Sequence, residues 1–273
     1  MTIQDSVSSV SGSPVFTMFE VEHCRQLDPV RITRLAAGVA AAIRVRSFFT
    51  VQECASIIDA LDHVEMGSYD EHLVQPRIAK LGPTAYDYYG QAGLRGEYWL
   101  EAQRAADIRA GLLNGSDPLE LALTKLQNGW TGSVLAATAG GRPIFAGLIR
   151  EIHGGAKLHF DEIQREMPNA FDQIPIAQIA FNCHLSMPAE GGEAEIYRRR
   201  WRPNDERSRD GYGYARSVVD DEPSVRVRAD VGDVVLFDPR NYHTVNPCRG
   251  EGRRITLSFF IGVSGSGDLI VWS

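Results

Sequence analysis

Two places in the chain put a histidine two residues before an acidic residue, a spacing that can let both side chains share one metal ion. They are His63-Val64-Glu65 and His159-Phe160-Asp161. The pattern is weak alone, because 7 histidines and 35 acidic residues among 273 positions supply roughly one such pair by chance. Local structure separates the two. His63 falls at the end of a capped helical segment, where residues i and i+2 point about 200° apart. On a strand the same two positions share a face, and His159 and Asp161 sit in the β-rich run AKLHFDEI. That pair can hold one ion from one side, whereas His63 and Glu65 read as surface residues.

A second histidine completes a facial triad of two imidazoles and one carboxylate, which leaves the opposite positions of the metal open for substrate and oxygen. His243 is the leading candidate. It follows GDVVLFDPRNYH, a strand with a turn at its end, and precedes a Gly-rich turn that leads into RRITLSFF. His184 competes with it, since it lies on the polar face of its own strand.

These residues need a scaffold. A chain of 273 residues with 44% hydrophobic content can bury a sizeable core. A net charge of -7 argues against nucleic acid or anionic membranes as partners. No basic start with an apolar run marks a secretory signal, and LAAGVAAAI, the longest small-apolar stretch, is far too short to span a bilayer. Cys24, Cys54, Cys183 and Cys248 are scattered without CxxC spacing, which fits reduced thiols in a cytoplasmic protein. A homodimer is left open.

Helix signals precede residue 140 and strand signals follow it. Asp28-Pro29, Thr50 with Glu53, and Asp117-Pro118 open helices, and the pattern predicts another over 97–113, ended by Asn114-Gly115. From Arg142 onward, seven or eight short β-rich runs predict an antiparallel sandwich or jelly roll. Two strands have distinct faces. Ile179, Phe181, Cys183 and Leu185 oppose Gln178, Asn182 and His184, while Ile255, Leu257 and Phe259 oppose Arg254, Thr256 and Ser258. If the N-terminal helices cover the apolar faces, the polar faces line an interior cavity. The expected organisation is an N-terminal extension over 1–26, a mainly helical part over 27–141, and a β core over 142–273. Within that core, the charge-rich segment 198–223 reads as a long mobile loop.

The motifs in order resemble the Fe(II)/2-oxoglutarate-dependent dioxygenases. The likeness lies in His159-x-Asp161, Gly191-Gly192-Glu193 opening a strand, and GDVVLFDPRNYHTVNPCRGEGRRITLSFF, and it covers about residues 142–262. It implies an α+β fold, mainly β, with a cupin-like double-stranded β-helix buttressed by N-terminal helices. It also implies Fe(II) on His159, Asp161 and His243, 2-oxoglutarate as cosubstrate, O2 as oxidant, and succinate and CO2 as products. Arg254 and Thr256 match the family's R-x-S/T pair, and a cavity-facing guanidinium suits the distal carboxylate of 2-oxoglutarate. Asn182 is a further cosubstrate candidate. His184, Trp201 and Tyr212 are expected substrate contacts, the latter two if the 198–223 segment closes as a lid.

Length, the helical half and the segment KLGPTAYDYYG look most similar to a branch that oxidises amino acids or their derivatives and includes radical halogenases. In those halogenases a small residue replaces the carboxylate ligand. Asp161 is kept here, so hydroxylation of a small molecule is the expected outcome, with desaturation, cyclisation, or action on a nucleotide or natural-product intermediate as alternatives. A cupin-like metalloenzyme or a non-catalytic binding protein would use the same roll, but Arg254-x-Thr256 and the intact triad argue against both.

Overall fold

The runs rich in β-branched and aromatic residues pair into two sheets that face one another, as a double-stranded β-helix requires. The structure, a computed structural model, describes residues 18–91 and 93–273. Most of the expected N-terminal extension therefore lies outside the described residues, although Val21–Cys24 forms an edge strand.

The large sheet is centred on two long antiparallel strands, Ala177–Ser186 and Ile255–Val263, in the register Asn182↔Ser258 and His184↔Thr256. Val234–Phe237 flanks the first of these, and Leu148–Ile152 with Leu269–Trp272 flanks the second. The small sheet runs Arg209–Asp210, Gly213–Tyr214, Ala156–His159, Asn241–Val245, Ala194–Arg200, Ser224–Val227.

Alternation sets the two faces of the large sheet. Ile179, Phe181, Cys183, Leu185, Ile255, Leu257, Phe259 and Ile261 join one core cluster that includes Ile32 and Leu35, Cys54 and Ile57, and Ala122 and Leu126 from three N-terminal helices. Each of those helices has the start signal visible in the sequence. Asp28 and Asp117 accept hydrogen bonds at their helix N-termini, and Thr50 with Glu53 closes a capping box before Val51–Leu61. Phe181 stacks on Phe259 with ring centroids 4.2 Å apart and meets the edge of Phe48. The opposite face, with Gln178, Asn182, His184, Thr256 and Ser258, turns toward the small sheet.

Several expectations need correction. The 97–113 helix spans Gly96–Arg109 and stops earlier than expected; Asn114 and Gly115 take positive φ in the turn that follows. The N-terminal half is more than a helical buttress, because Ala42–Val45, Ile78–Leu81 and Val134–Ala136 all add strands to the large sheet. Arg44 fits in such a strand because Asp233 and Asp230 take its charge.

The 198–223 segment is also not a structureless loop. It holds a 3-10 turn, Pro203–Ser208, and a hairpin whose Tyr214 pairs with Leu158. Its mixed charges satisfy one another or nearby acids, as in Arg199 with Asp205 and Glu222, Arg209 with Glu206, and Arg200 with Asp238.

No helix among the described residues is long and apolar enough to cross a membrane. The four cysteines are free, and three are buried. The packing predicts that Phe181→Ala lowers the unfolding free energy by about 3–5 kcal/mol, measured by denaturant titration. A loss below about 1 kcal/mol would show that helices and sheet do not share one core.

Candidate active site

His159 ends its strand, and His243 lies directly across from it on the neighbouring strand, in the register His159↔His243. Their rings are 4.2 Å apart between centroids. Asp161 lies just past the strand end, where its amide donates to the Pro239 carbonyl at 2.9 Å. Its Oδ2 is 3.9 Å from His159 Nε2 and 3.5 Å from His243 Nε2. One donor atom from each of the three residues lies within 4.8 Å of the others.

The outer nitrogens decide what the inner ones can do. His159 Nδ1 is 2.7 Å from the Lys157 carbonyl, and His243 Nδ1 is 3.0 Å from the Asn241 carbonyl. A carbonyl only accepts, so each Nδ1 donates, and each Nε2 is the ring nitrogen turned toward Asp161. Burial and the nearby His243 hold the His159 imidazole down to about 4, which keeps it neutral. Burial opposes ionisation of Asp161, yet the His243 hydrogen bond and the surrounding imidazoles and Arg150 hold its carboxyl below the usual range. Two imidazole nitrogens and one carboxylate oxygen, converging on one point, fit Fe(II).

A second polar group sits deeper on the large sheet. Arg254 is 3% exposed, its Nε donates to the Gly192 carbonyl at 2.9 Å, and its Nη2 is 3.4 Å from His184 Nε2. It has no ion-pair partner among the described residues, and burial together with the charge of Arg150 pulls it down to about 10. Thr256, fully buried beside it, accepts from Ser258 Oγ and so retains its own hydroxyl proton to donate. Gly192 has φ +73°, and a Cβ there would stand 3.1 Å from Arg254 Cδ. This glycine is what lets the arginine lie against the backbone. A buried, unpaired guanidinium with a free hydroxyl beside it is an anion site.

The remaining candidates divide. His184 lies beside Arg254 and away from the triad, and burial and the Arg254 charge hold its imidazole at about 3. Of the two competing histidines, His243 is the one brought beside His159 and Asp161. Asn182 accepts from Arg150 Nη2 at 3.2 Å. Tyr212 accepts from the Lys157 amide, and its ring meets His159 edge-on at 5.7 Å. Trp201 does not face the triad. It packs on Phe160 in the aromatic cluster with Tyr214 and Tyr242, and it stacks under Arg165. Arg253 pairs with Glu151 and Asp62, on the side away from the cavity, while His63 and Glu65 are exposed.

Arg150 was not singled out by sequence reasoning, although it belongs to this site. It lies opposite Thr256 in the next strand, and its charge reaches His159, Asp161, Tyr69 and Arg254. A lone arginine in the apolar run FAGLIREI was the available signal.

Comparison with known proteins agrees with this geometry. The family described as carrier-protein-independent halogenase WelO5 matches residues 16–273. The L-γ-glutamyl-L-propargylglycine hydroxylase of Streptantibioticus cattleyicolor is 40% identical over 242 residues, 88% of this chain and 90% of that one. Leucinostatins biosynthesis cluster protein S of Purpureocillium lilacinum is 35% identical over 136 residues, 47% of this chain and 56% of the relative. Among solved structures, an N-substituted L-amino acid dioxygenase from Burkholderia ambifaria superposes with a TM-score of 0.58 at 12% identity. That match covers 89% of this chain and 90% of the other, a likeness of fold. With a family match over nearly its whole length, the chain belongs to the carrier-protein-independent halogenase WelO5 family.

Proposed function

We propose that this protein hydroxylates an unactivated C–H of a free or derivatised amino acid, releasing succinate and CO2. The observation that carries the outcome is Asp161, whose carboxylate oxygen lies 3.9 Å and 3.5 Å from the two imidazole nitrogens. A carboxylate in that place occupies the position a halide would take, so hydroxylation is favoured within a family named for halogenation. The 40% identity to an enzyme named as a hydroxylase of a γ-glutamyl amino acid supports the same reading and the substrate class.

His159, Asp161 and His243 would hold Fe(II), which together with 2-oxoglutarate and O2 supplies the oxidising power to break the C–H bond. The protein's part is to bind, orient and exclude water. Lys157 and Asn241 carbonyls hold the imidazoles aimed, each accepting from an Nδ1. Arg254 and Thr256 would fix the distal carboxylate of 2-oxoglutarate, with neutral His184 and the Gly192 carbonyl locking the guanidinium in place. Asn182 would act through Arg150, which donates to it, and Tyr212 through its edge-on contact with His159.

Two outcomes follow for the purified, iron-loaded protein. Among amino acids, N-acyl amino acids and γ-glutamyl dipeptides, at least one should stimulate succinate release, and His159→Ala or Asp161→Ala should cut both this turnover and Mn(II) affinity by about 100-fold or more. Retained turnover in both variants would refute the ligand assignment. Separately, Arg254→Met should raise the KM for 2-oxoglutarate by about 100-fold with metal affinity unchanged. Gly192→Ala should do the same more weakly by displacing the arginine. Unaltered 2-oxoglutarate kinetics in both would place the cosubstrate elsewhere.

A further inference from the structure

Around the cavity, most cations have an anion. Arg44 meets Asp233 and Asp230, Lys80 meets Asp87, and Arg240 meets Asp238. Arg254 is spoken for by the distal carboxylate of 2-oxoglutarate. Arg150 is different: it makes no ion pair among the described residues, its Nη2 donates only to the neutral Asn182, and its Nε is buried without any partner. Tyr69 stands beside it, and burial pushes that phenol up to about 12, so the neighbour supplies a neutral hydroxyl and no charge.

The charge balance of the loaded site sharpens this. The imidazoles are neutral, and the charges of Fe(II) and Arg254 are cancelled by Asp161 and the 2-oxoglutarate dianion. Arg150 is then one uncompensated cation in a water-poor space, an arrangement that costs free energy until an anion arrives.

We propose that Arg150 anchors a carboxylate of the amino-acid substrate, so that the pocket selects for an acid over its neutral amide. The proposal rests on the amino-acid reading above. Asn182 fixes the plane of the guanidinium by holding Nη2. The guanidinium's remaining Nη protons are left to grip a carboxylate, and the Tyr69 hydroxyl can donate to the same group. The strand that carries Arg150 lies next to the Thr256 strand, so substrate and cosubstrate carboxylates would be held by adjacent strands of one rigid sheet. Such an anchor fixes which carbon of the substrate stands before the metal.

The test compares acids with amides. Wild-type protein, loaded anaerobically with Mn(II) and 2-oxoglutarate, is titrated calorimetrically with L-amino acids, with L-γ-glutamyl-L-propargylglycine, and with versions in which each carboxylate in turn is a carboxamide. Succinate release is then followed with Fe(II). At least one acid should bind about 10-fold to 100-fold better than its amide. Arg150→Gln should erase that preference, raise KM more than it lowers kcat, and leave 2-oxoglutarate affinity within about threefold of wild type. Arg150→Lys should fall between, and melting curves confirm that both variants fold.

Three results overturn the anchor: a preference that survives Arg150→Gln, a loss of 2-oxoglutarate affinity as deep as that of Arg254→Met, or no acid that binds better than its amide. The failures separate cleanly. Succinate release that ignores Arg150 leaves the hydroxylase reading standing without the anchor. Arg150-dependent acid binding with no stimulated turnover leaves the anchor and removes the hydroxylase reading.

Discussion

The pairing of His159 with His243 across two adjacent strands is the constraint on which the rest of the site depends. It brings two imidazoles to 4.2 Å between centroids, with a half-buried carboxylate beside them. Such a cluster is tolerable only if the imidazoles stay neutral and the inward lone pairs find a cation. Burial provides the first condition at His159, and the carbonyls of Lys157 and Asn241 each accept from an Nδ1 and so turn both Nε2 atoms inward. The chemistry of the donor set provides the second.

From that point the architecture is a division of labour between the two faces of the large sheet. The outer face is closed by helices through a dry core in which Phe181, Phe259 and Phe48 interlock. This rigid outer packing frees the inner face to carry groups that a core would reject, namely Arg254, His184, Thr256 and Ser258, all 3% exposed or less. The buried Arg254 and the half-buried Arg150, neither with an acid among the described residues, make the cavity locally cationic in a protein whose net charge is -7. A small dicarboxylate and an acidic substrate would meet a positive interior inside an acidic molecule.

Much of this was legible in the residues. The alternation in the Phe181 and Leu257 strands separated the two faces without any structure, because strand periodicity is fixed by the pleat. The ligands and Arg254 followed from spacing and resemblance, and the helix caps from local chemistry. Arg150 was not legible, since one strand's parity does not say which side of the sheet its arginine faces until the strand is paired with Thr256. Trp201 was misjudged for a related reason. An aromatic in a charged segment carries no mark of which side of the small sheet it packs on, and here it joins Phe160 on the far side from His159. The strand Ala42–Val45 was hidden because its run of small residues reads equally well as helix, and only pairing with Val234–Phe237 decides between them.

The central claim is that three side chains on the small sheet, together with the anion site on the large one, form an oxygenase that couples 2-oxoglutarate breakdown to C–H hydroxylation. Labelled O2, supplied to the iron-loaded protein with 2-oxoglutarate and the acid that most stimulates succinate release, tests it most directly by mass spectrometry of both products. The account predicts one labelled oxygen in succinate and label in the new hydroxyl group, with succinate and hydroxylated product formed in equal amounts. A product whose hydroxyl comes wholly from water, or one formed without succinate, would contradict it.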